Sequence, residues 1–192
     1  KDNVLYMEGK NPTILSREFK DVTAPHSNIA VPYGRKIIKT VAGYMYRPGL
    51  IQPMSEDEEY LEALKDVYWE NNEDTKTAQL GEQVSLQGTG YEVHYMDGTA
   101  PRFVRVPVAG AIPVYDRALE PNLTAFIRTI ERSKERVDVE IYYSDRVDYL
   151  HYKTTGWHIT GQQLKFVMDG SAPHEYEAVP VVVFRNNDER VG

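Results

Sequence analysis

The sequence predicts an α+β fold, with helices in the first half and mostly antiparallel strands in the second. Up to Gln87, apolar residues recur at helical spacing. From Tyr91 the period changes to two, and valine, tyrosine and isoleucine dominate. Gly88-Thr89-Gly90 stands between the two regimes. The chain is expected to form one domain over residues 1–192, mainly helical over 1–88 and mainly β over 89–192.

Lys1 to Thr23 reads as an entry segment, with Asn11-Pro12 as a turn and Pro25 as a second break. A helix is expected from Ile29 to about Tyr46. Ile37, Ile38, Val41 and Met45 fall on one stripe, Arg35, Lys36 and Lys39 lie on the other side, and Pro32 sits in the first turn. Arg47-Pro48-Gly49 ends it. Ser55 and Glu58 fit a capping box for a second helix, whose apolar face is Tyr60, Leu61, Leu64, Val67 and Tyr68. The acids Glu56 to Glu59 gather at its N-terminus, where the helix dipole favours them. Asn71-Asn72 stops it. Asp74 is expected to cap a third helix, with Leu80 and Val84 inward and Gly88 as its stop.

Strands are expected at Tyr91–Met96, Phe103–Val106 (within a return run that begins at Pro101), Ile112–Tyr115, Leu123–Ile130, Val137–Tyr143, Val147–Lys153, Trp157–Ile159, Leu164–Met168 and Val179–Phe184. Asp97-Gly98, Ser144-Asp145, Thr155-Gly156 and Asp169-Gly170 are the turn signals between them.

Composition narrows the chemistry. The 192 residues include 41% hydrophobic side chains, enough to fill a core. With no cysteine, disulfides and thiolate sites are excluded. No apolar run reaches the length that crosses a bilayer, and none reads as a signal peptide, so no membrane partner is expected. Neither end reads as a natural terminus, so a longer parent protein is expected. The net charge is −7, unevenly placed: residues 1–50 hold eight Lys/Arg against four Asp/Glu, and residues 51–100 hold two against twelve. An acidic centre argues against gripping phosphates.

No catalytic, cofactor or metal site emerges. His151 and His158, with Asp148 nearby, could ligate a metal in a hydrolase, but their spacing matches no ligand motif. His26, His94 and His174 add none. Gly88-Thr89-Gly90 follows a helix and precedes a strand, the reverse of a phosphate loop. There is no GxSxG, and Ser85 lies in a helical run. Asn122-Leu123-Thr124 matches a glycosylation sequon too short to carry weight alone. Arg128, Arg132, Lys134 and Arg136 could form a basic patch, but Glu131 and Glu135 interleave with them.

Four stretches, in order and covering nearly the whole chain, resemble the portal proteins of long-tailed bacteriophages and prophages. They are Tyr6-Met7-Glu8-Gly9-Lys10 running on to Ile14-Leu15, and Asn28-Ile29-Ala30-Val31-Pro32-Tyr33 into Val41-Ala42-Gly43-Tyr44. The third contains Asn71-Asn72-Glu73-Asp74, Gly88-Thr89-Gly90-Tyr91-Glu92 and Ile112-Pro113-Val114-Tyr115-Asp116. The fourth, the most specific, runs from Val179-Pro180-Val181 through Phe184-Arg185-Asn186-Asn187-Asp188-Glu189-Arg190. Met45-Tyr46-Arg47-Pro48-Gly49 departs from the Gly-Lys-Pro type turn common in the family.

The resemblance implies a structural subunit of the ring, of about twelve copies, through which double-stranded DNA enters and leaves the phage head. It implies the outer, or wing, part without stem, clip and crown, and no catalytic residue or cofactor. The implied partners are other copies of the protein, the terminase motor, scaffold or capsid and head-completion proteins. The implied locations are the virion and, during assembly, the host cytoplasm. DNA would pass without sequence-specific contacts. The alternatives are a stand-alone protein-binding module and the metal-dependent hydrolase. Alone, the chain is expected to be monomeric or weakly associated, because Ile37, Val41, Leu61 and Leu64 are needed for its own core.

Overall fold

The computed structural model describes residues 2–18, 29–49, 52–153 and 166–187. Among the described residues, five α-helices come first: α1 Asp2–Met7, α2 Pro12–Leu15, α3 Tyr33–Met45, α4 Glu58–Asn71 and α5 Glu73–Gln87. Eight strands follow among the described residues: β1 Thr89–Asp97, β2 Ala100–Val106, β3 Ala111–Tyr115, β4 Leu123–Ser133, β5 Arg136–Tyr142, β6 Arg146–Lys153, β7 Val167–Pro173 and β8 Val181–Arg185. The expected α+β class is what forms. The expected strand at Trp157–Ile159 lies outside the described residues, as do His26, His158, Pro25 and the Thr155-Gly156 turn. The chain divides into two compact units, Lys1–Thr89 with Arg185–Gly192, and Gly90–Phe184.

In the first unit, α1, α3 and α4 pack on α5. Several expected ends move. Asn11-Pro12 starts a helix instead of a turn: Asn11 Oδ1 accepts from the amides of Thr13 and Ile14, 3.0 and 3.3 Å away, and Pro12 fills the first position, where no amide is needed. The helix expected from Ile29 begins at Tyr33, with Pro32 just outside it. Proline disfavours helical geometry in the residue before it, so Val31 cannot extend the helix backwards. The α4 cap is Asp57, whose Oδ1 accepts from the Tyr60 amide at 3.0 Å. Ser55 Oγ instead accepts from the Asp57 amide at 3.1 Å, so the Ser55–Glu58 capping box does not form. Asn72 alone links α4 to α5, in a left-handed conformation (φ 52°) that its short polar side chain tolerates. Asp74 therefore lies inside α5, and its carboxylate receives the Gly49 amide at 3.0 Å. Leu80 is buried and Gly88 ends α5 with φ 78°, both as expected.

The largest departure concerns α3. Its buried residue is Ala42, with Ile38 half-buried, while Ile37, Val41 and Met45 of the expected core stripe are exposed, as are Tyr33 and Tyr44. The sequence specifies an apolar face; what covers it is not set by that face alone. The premise that Ile37 and Val41 are consumed by the chain's own core is thus overturned, whereas Leu61 and Leu64 are half-buried on α4.

The second unit holds a three-stranded sheet, in the order β2-β1-β8, and a five-stranded antiparallel meander, β3-β4-β5-β6-β7. The β1–β2 hairpin closes through Gly98-Thr99, with Asp97 opposite Ala100 and Gly98 at φ 62°. A positive φ at the first loop residue only is the geometry that suits a right-twisted hairpin. Tyr91, Val93, Val106 and Val181 from the small sheet, and Phe126, Tyr142 and Val147 from the meander, share one core with Val179. Phe126 is fully buried, its ring centroid 5.2 Å from that of Tyr91 and 6.2 Å from that of Tyr142.

Asp169-Gly170, expected as a turn, lies within β7. Tyr149 faces Gly170 and Leu150 faces Met168, so Asp169 is the extra residue of a bulge.

Candidate functional site

A cleft of about 960 Å³ in the second unit opens between the two sheets. β1 supplies Val93 to Met96 on one side; Arg128, Glu140 and Tyr142 line the other, and the segment His174–Tyr176 borders it. Arg128 and Glu140 are directly opposite in the β4–β5 register. Arg128 donates to Glu140 Oε2 at 3.1 Å, and the Tyr142 hydroxyl donates to the same oxygen at 2.7 Å. Burial, then the negative charge of Glu140 and this hydrogen bond, push the Tyr142 phenol well above its ordinary range. His174 is fixed from both sides: Nδ1 accepts from the Tyr176 amide at 3.2 Å, which leaves Nε2 to donate to the Tyr143 carbonyl at 2.9 Å. His94 Nε2 is 3.3 Å from Glu92 Oε1 but outside hydrogen-bonding geometry.

Arg128, Glu140 and Tyr142 are tied to one another and His174 to Tyr143 and Tyr176, and none of these contacts is a nucleophile–base pair. The cleft offers shape, the compensating charges of Arg128 and Glu140, and Glu175 at its border.

Of the histidine pair read from the sequence, His158 lies outside the described residues, and only the surroundings of His151 are on view. His151 Nδ1 lies 2.8 Å from both carboxylate oxygens of Asp169, the bulge residue, rather than against Asp148. Asp148 instead accepts from Ser171 Oγ at 2.7 Å and from Arg146 Nε at 3.2 Å. Among the described residues, no group of three or more His, Asp or Glu side chains is arranged to hold a metal. The three arginines of the candidate basic patch are each engaged by a carboxylate. Arg132 and Arg136 both hold Asp138, at 2.8 and 2.7 Å, Arg136 also approaches Asp169 at 3.6 Å, and Arg128 is held by Glu140. The two guanidinium hydrogen bonds keep the Asp138 carboxyl below its usual range. Glu140 was legible only through the strand register, which sets it opposite Arg128 on the facing strand; Asp138 stands two positions along β5 from Arg136, on the same face of the strand.

Gly88-Thr89-Gly90 is a helix stop, not a phosphate cradle. Asn122 is drawn into its own loop, where its amide and side chain both donate to Asp116. Three such hydrogen bonds, led by the Asn122 backbone, lower the Asp116 pKa. No helix among the described residues is long and apolar enough to cross a membrane.

The molecule therefore presents paired charges, a closed β core and, on the helical unit, apolar side chains in water, a pattern of surfaces rather than of chemistry. No curated protein matches the chain. A family model described as phage portal protein, SPP1 Gp6-like, matches residues 2–192. With essentially the whole chain covered, the protein belongs to the SPP1 Gp6-like family of phage portal proteins.

Proposed function

We propose that this chain forms the outer, wing part of the portal and contributes scaffold and contact surface, with no catalytic step of its own. The family is structural: its members build the homo-oligomeric portal at a vertex of the virion through which phage DNA is packaged. The finer reading is a closed ring of about twelve subunits, related head-to-tail around one axis. Stem, clip and crown segments would lie elsewhere in the parent protein. The terminase motor, the scaffold or capsid, and the head-completion proteins would dock on the assembled ring, which forms in the host cytoplasm.

The family match carries this reading. The charge pattern supports it: Arg128, Arg132 and Arg136 are each engaged by a carboxylate. A conduit must let DNA slide, and clustered free arginines would bind phosphates in a salt-dependent way. Electron microscopy of the purified parent protein tests the reading directly. Closed rings with a central opening are expected; a uniform population of monomers under assembly conditions would overturn it. A gel-shift series at moderate salt adds a second check, with no preference for one DNA sequence expected.

A further inference from the structure

The chain holds nearly the same five residues twice. Met96-Asp97-Gly98-Thr99-Ala100 and Met168-Asp169-Gly170-Ser171-Ala172 differ only in Thr99 against Ser171. An aspartate followed by glycine exposes its side-chain carboxyl to attack by the next main-chain nitrogen, because glycine has no Cβ to stand in the way. The two copies share this intrinsic chemistry, and the fold gives them different surroundings. Asp97 ends β1, and Gly98 opens the hairpin loop with φ 62°. Asp97, Gly98 and Thr99 are all exposed. Among the described residues, neither the Asp97 carboxylate nor the Gly98 amide has a hydrogen-bond partner, and a Cβ built on Gly98 would meet nothing within 4 Å. Asp169 is held instead. His151 Nδ1 lies 2.8 Å from both of its carboxylate oxygens, Arg136 approaches at 3.6 Å, and Gly170 is fixed in the ladder opposite Tyr149.

We propose that Asp97 is a site of spontaneous isomerisation to isoaspartate, and that the fold protects Asp169 from the same reaction. The Gly98 nitrogen attacks Cγ of the Asp97 side chain in its acid form. The Cγ–OH bond breaks, and the hydroxyl leaves with the amide proton as water, which closes a five-membered succinimide. Water then adds to the main-chain carbonyl carbon of that ring. The bond from this carbon to the Gly98 nitrogen breaks, and the nitrogen takes back a proton. Isoaspartate remains, with the main chain routed through Cγ and one methylene longer. Water is the only co-reactant. The extra methylene falls where Asp97 faces Ala100, so it disturbs the closing pair of the β1–β2 hairpin. Met96, Gly98 and Thr99 also line the cleft between the two sheets, and its rim changes with them.

The test keeps the native chain folded for weeks at physiological temperature near neutral pH. The digested protein is then read with fragmentation that separates isoaspartate from aspartate. Isoaspartate is expected to accumulate about tenfold or more faster at Asp97 than at Asp169, because Asp169 reacts only when its ladder opens locally. In urea the two sites are expected to react at comparable rates, since their neighbours are alike. D97E is expected to abolish the fast component. H151A is expected to raise the rate at Asp169 and leave that at Asp97 unchanged, which also shows that the variant is folded. Equal rates in the folded chain, a lead for Asp169, or an Asp97 that reacts only in urea each overturn the proposal. A difference that persists in urea does so too, since it would not come from the fold. An H151A chain in which Asp169 stays as slow as before overturns the protection assigned to His151.

Discussion

The ring of Tyr46 fills the space in which a side chain at Gly81 would stand, so a Cβ added there would collide with Cδ2, Cε2 and Cζ of the tyrosine. Glycine in mid-helix is ordinarily unfavourable by about 1 kcal/mol relative to alanine. Here it lets α3 and α5 approach. Gly81→Ala is expected to lose up to about 2 kcal/mol net, because overpacking outweighs the helical gain. In a Tyr46→Ala background the same change should instead gain about 1 kcal/mol. Urea unfolding of the four proteins reads the reversal of sign, and two changes of the same sign would refute it.

Phe126 is fully buried where the two sheets meet. Phe126→Ala is expected to destabilise the chain by about 3–5 kcal/mol through lost burial and the cavity left behind. Phe126→Leu should lose less than half as much. Chemical denaturation measures both.

Tyr142 is held neutral by burial and by Glu140. Its folded pKa is raised, so its contribution is complete below the unfolded phenol value near 10 and is lost as pH climbs beyond it. Tyr142→Phe should lower stability at neutral pH by about 1–3 kcal/mol, since Glu140 loses a donor. It should also flatten the decline of stability above pH 10. An ultraviolet difference titration of Glu140→Gln should show one tyrosine ionising earlier than in the native chain.

Asp138 runs the other way. Arg136 and Arg132 lower its carboxyl pKa, so its contribution is present above the unfolded value near 4 and disappears as pH falls through the lower folded value. Asp138→Asn is therefore expected to melt lower than the native chain at neutral pH and to converge with it in strong acid. Because the pair is exposed, added salt should shrink the neutral-pH gap. A gap that persists unchanged in acid would exclude this origin.

The strands were the most legible part of the chain. β1, β4, β5 and β6 form where runs of valine, tyrosine and isoleucine are bounded by turn residues, a local signal that needs no distant partner. Gly88 was legible for the same kind of local reason, as a left-handed helix stop. What failed depended on partners distant in sequence. Asp74 looked like a cap until Gly49 claimed it. Asp169-Gly170 looked like a turn because a bulge and a turn use the same residues, and only pairing with Tyr149 and Leu150 separates them. The stripe of α3 was read correctly as apolar and wrongly as buried, since periodicity marks a face without saying which molecule will cover it. Of the candidate site, His151 was visible, but its true carboxylate, Asp169, was hidden by that same bulge.

β8 lies beside β1 in the small sheet, although the whole five-strand meander separates them in the chain. Each strand of the meander finds its partner next door, so that sheet can zip as it is synthesised. The small sheet must wait: β1 and β2 emerge early, and the third strand arrives only after β7 has been made. During translation the β1 edge, with Val93 in its middle, is an open template for pairing. Contacts that close such long loops form slowly. The folding clock of this unit is thus set by its last few residues, and a ribosome stalled before Val181 would release a meander with an unsealed neighbour prone to pair with another chain.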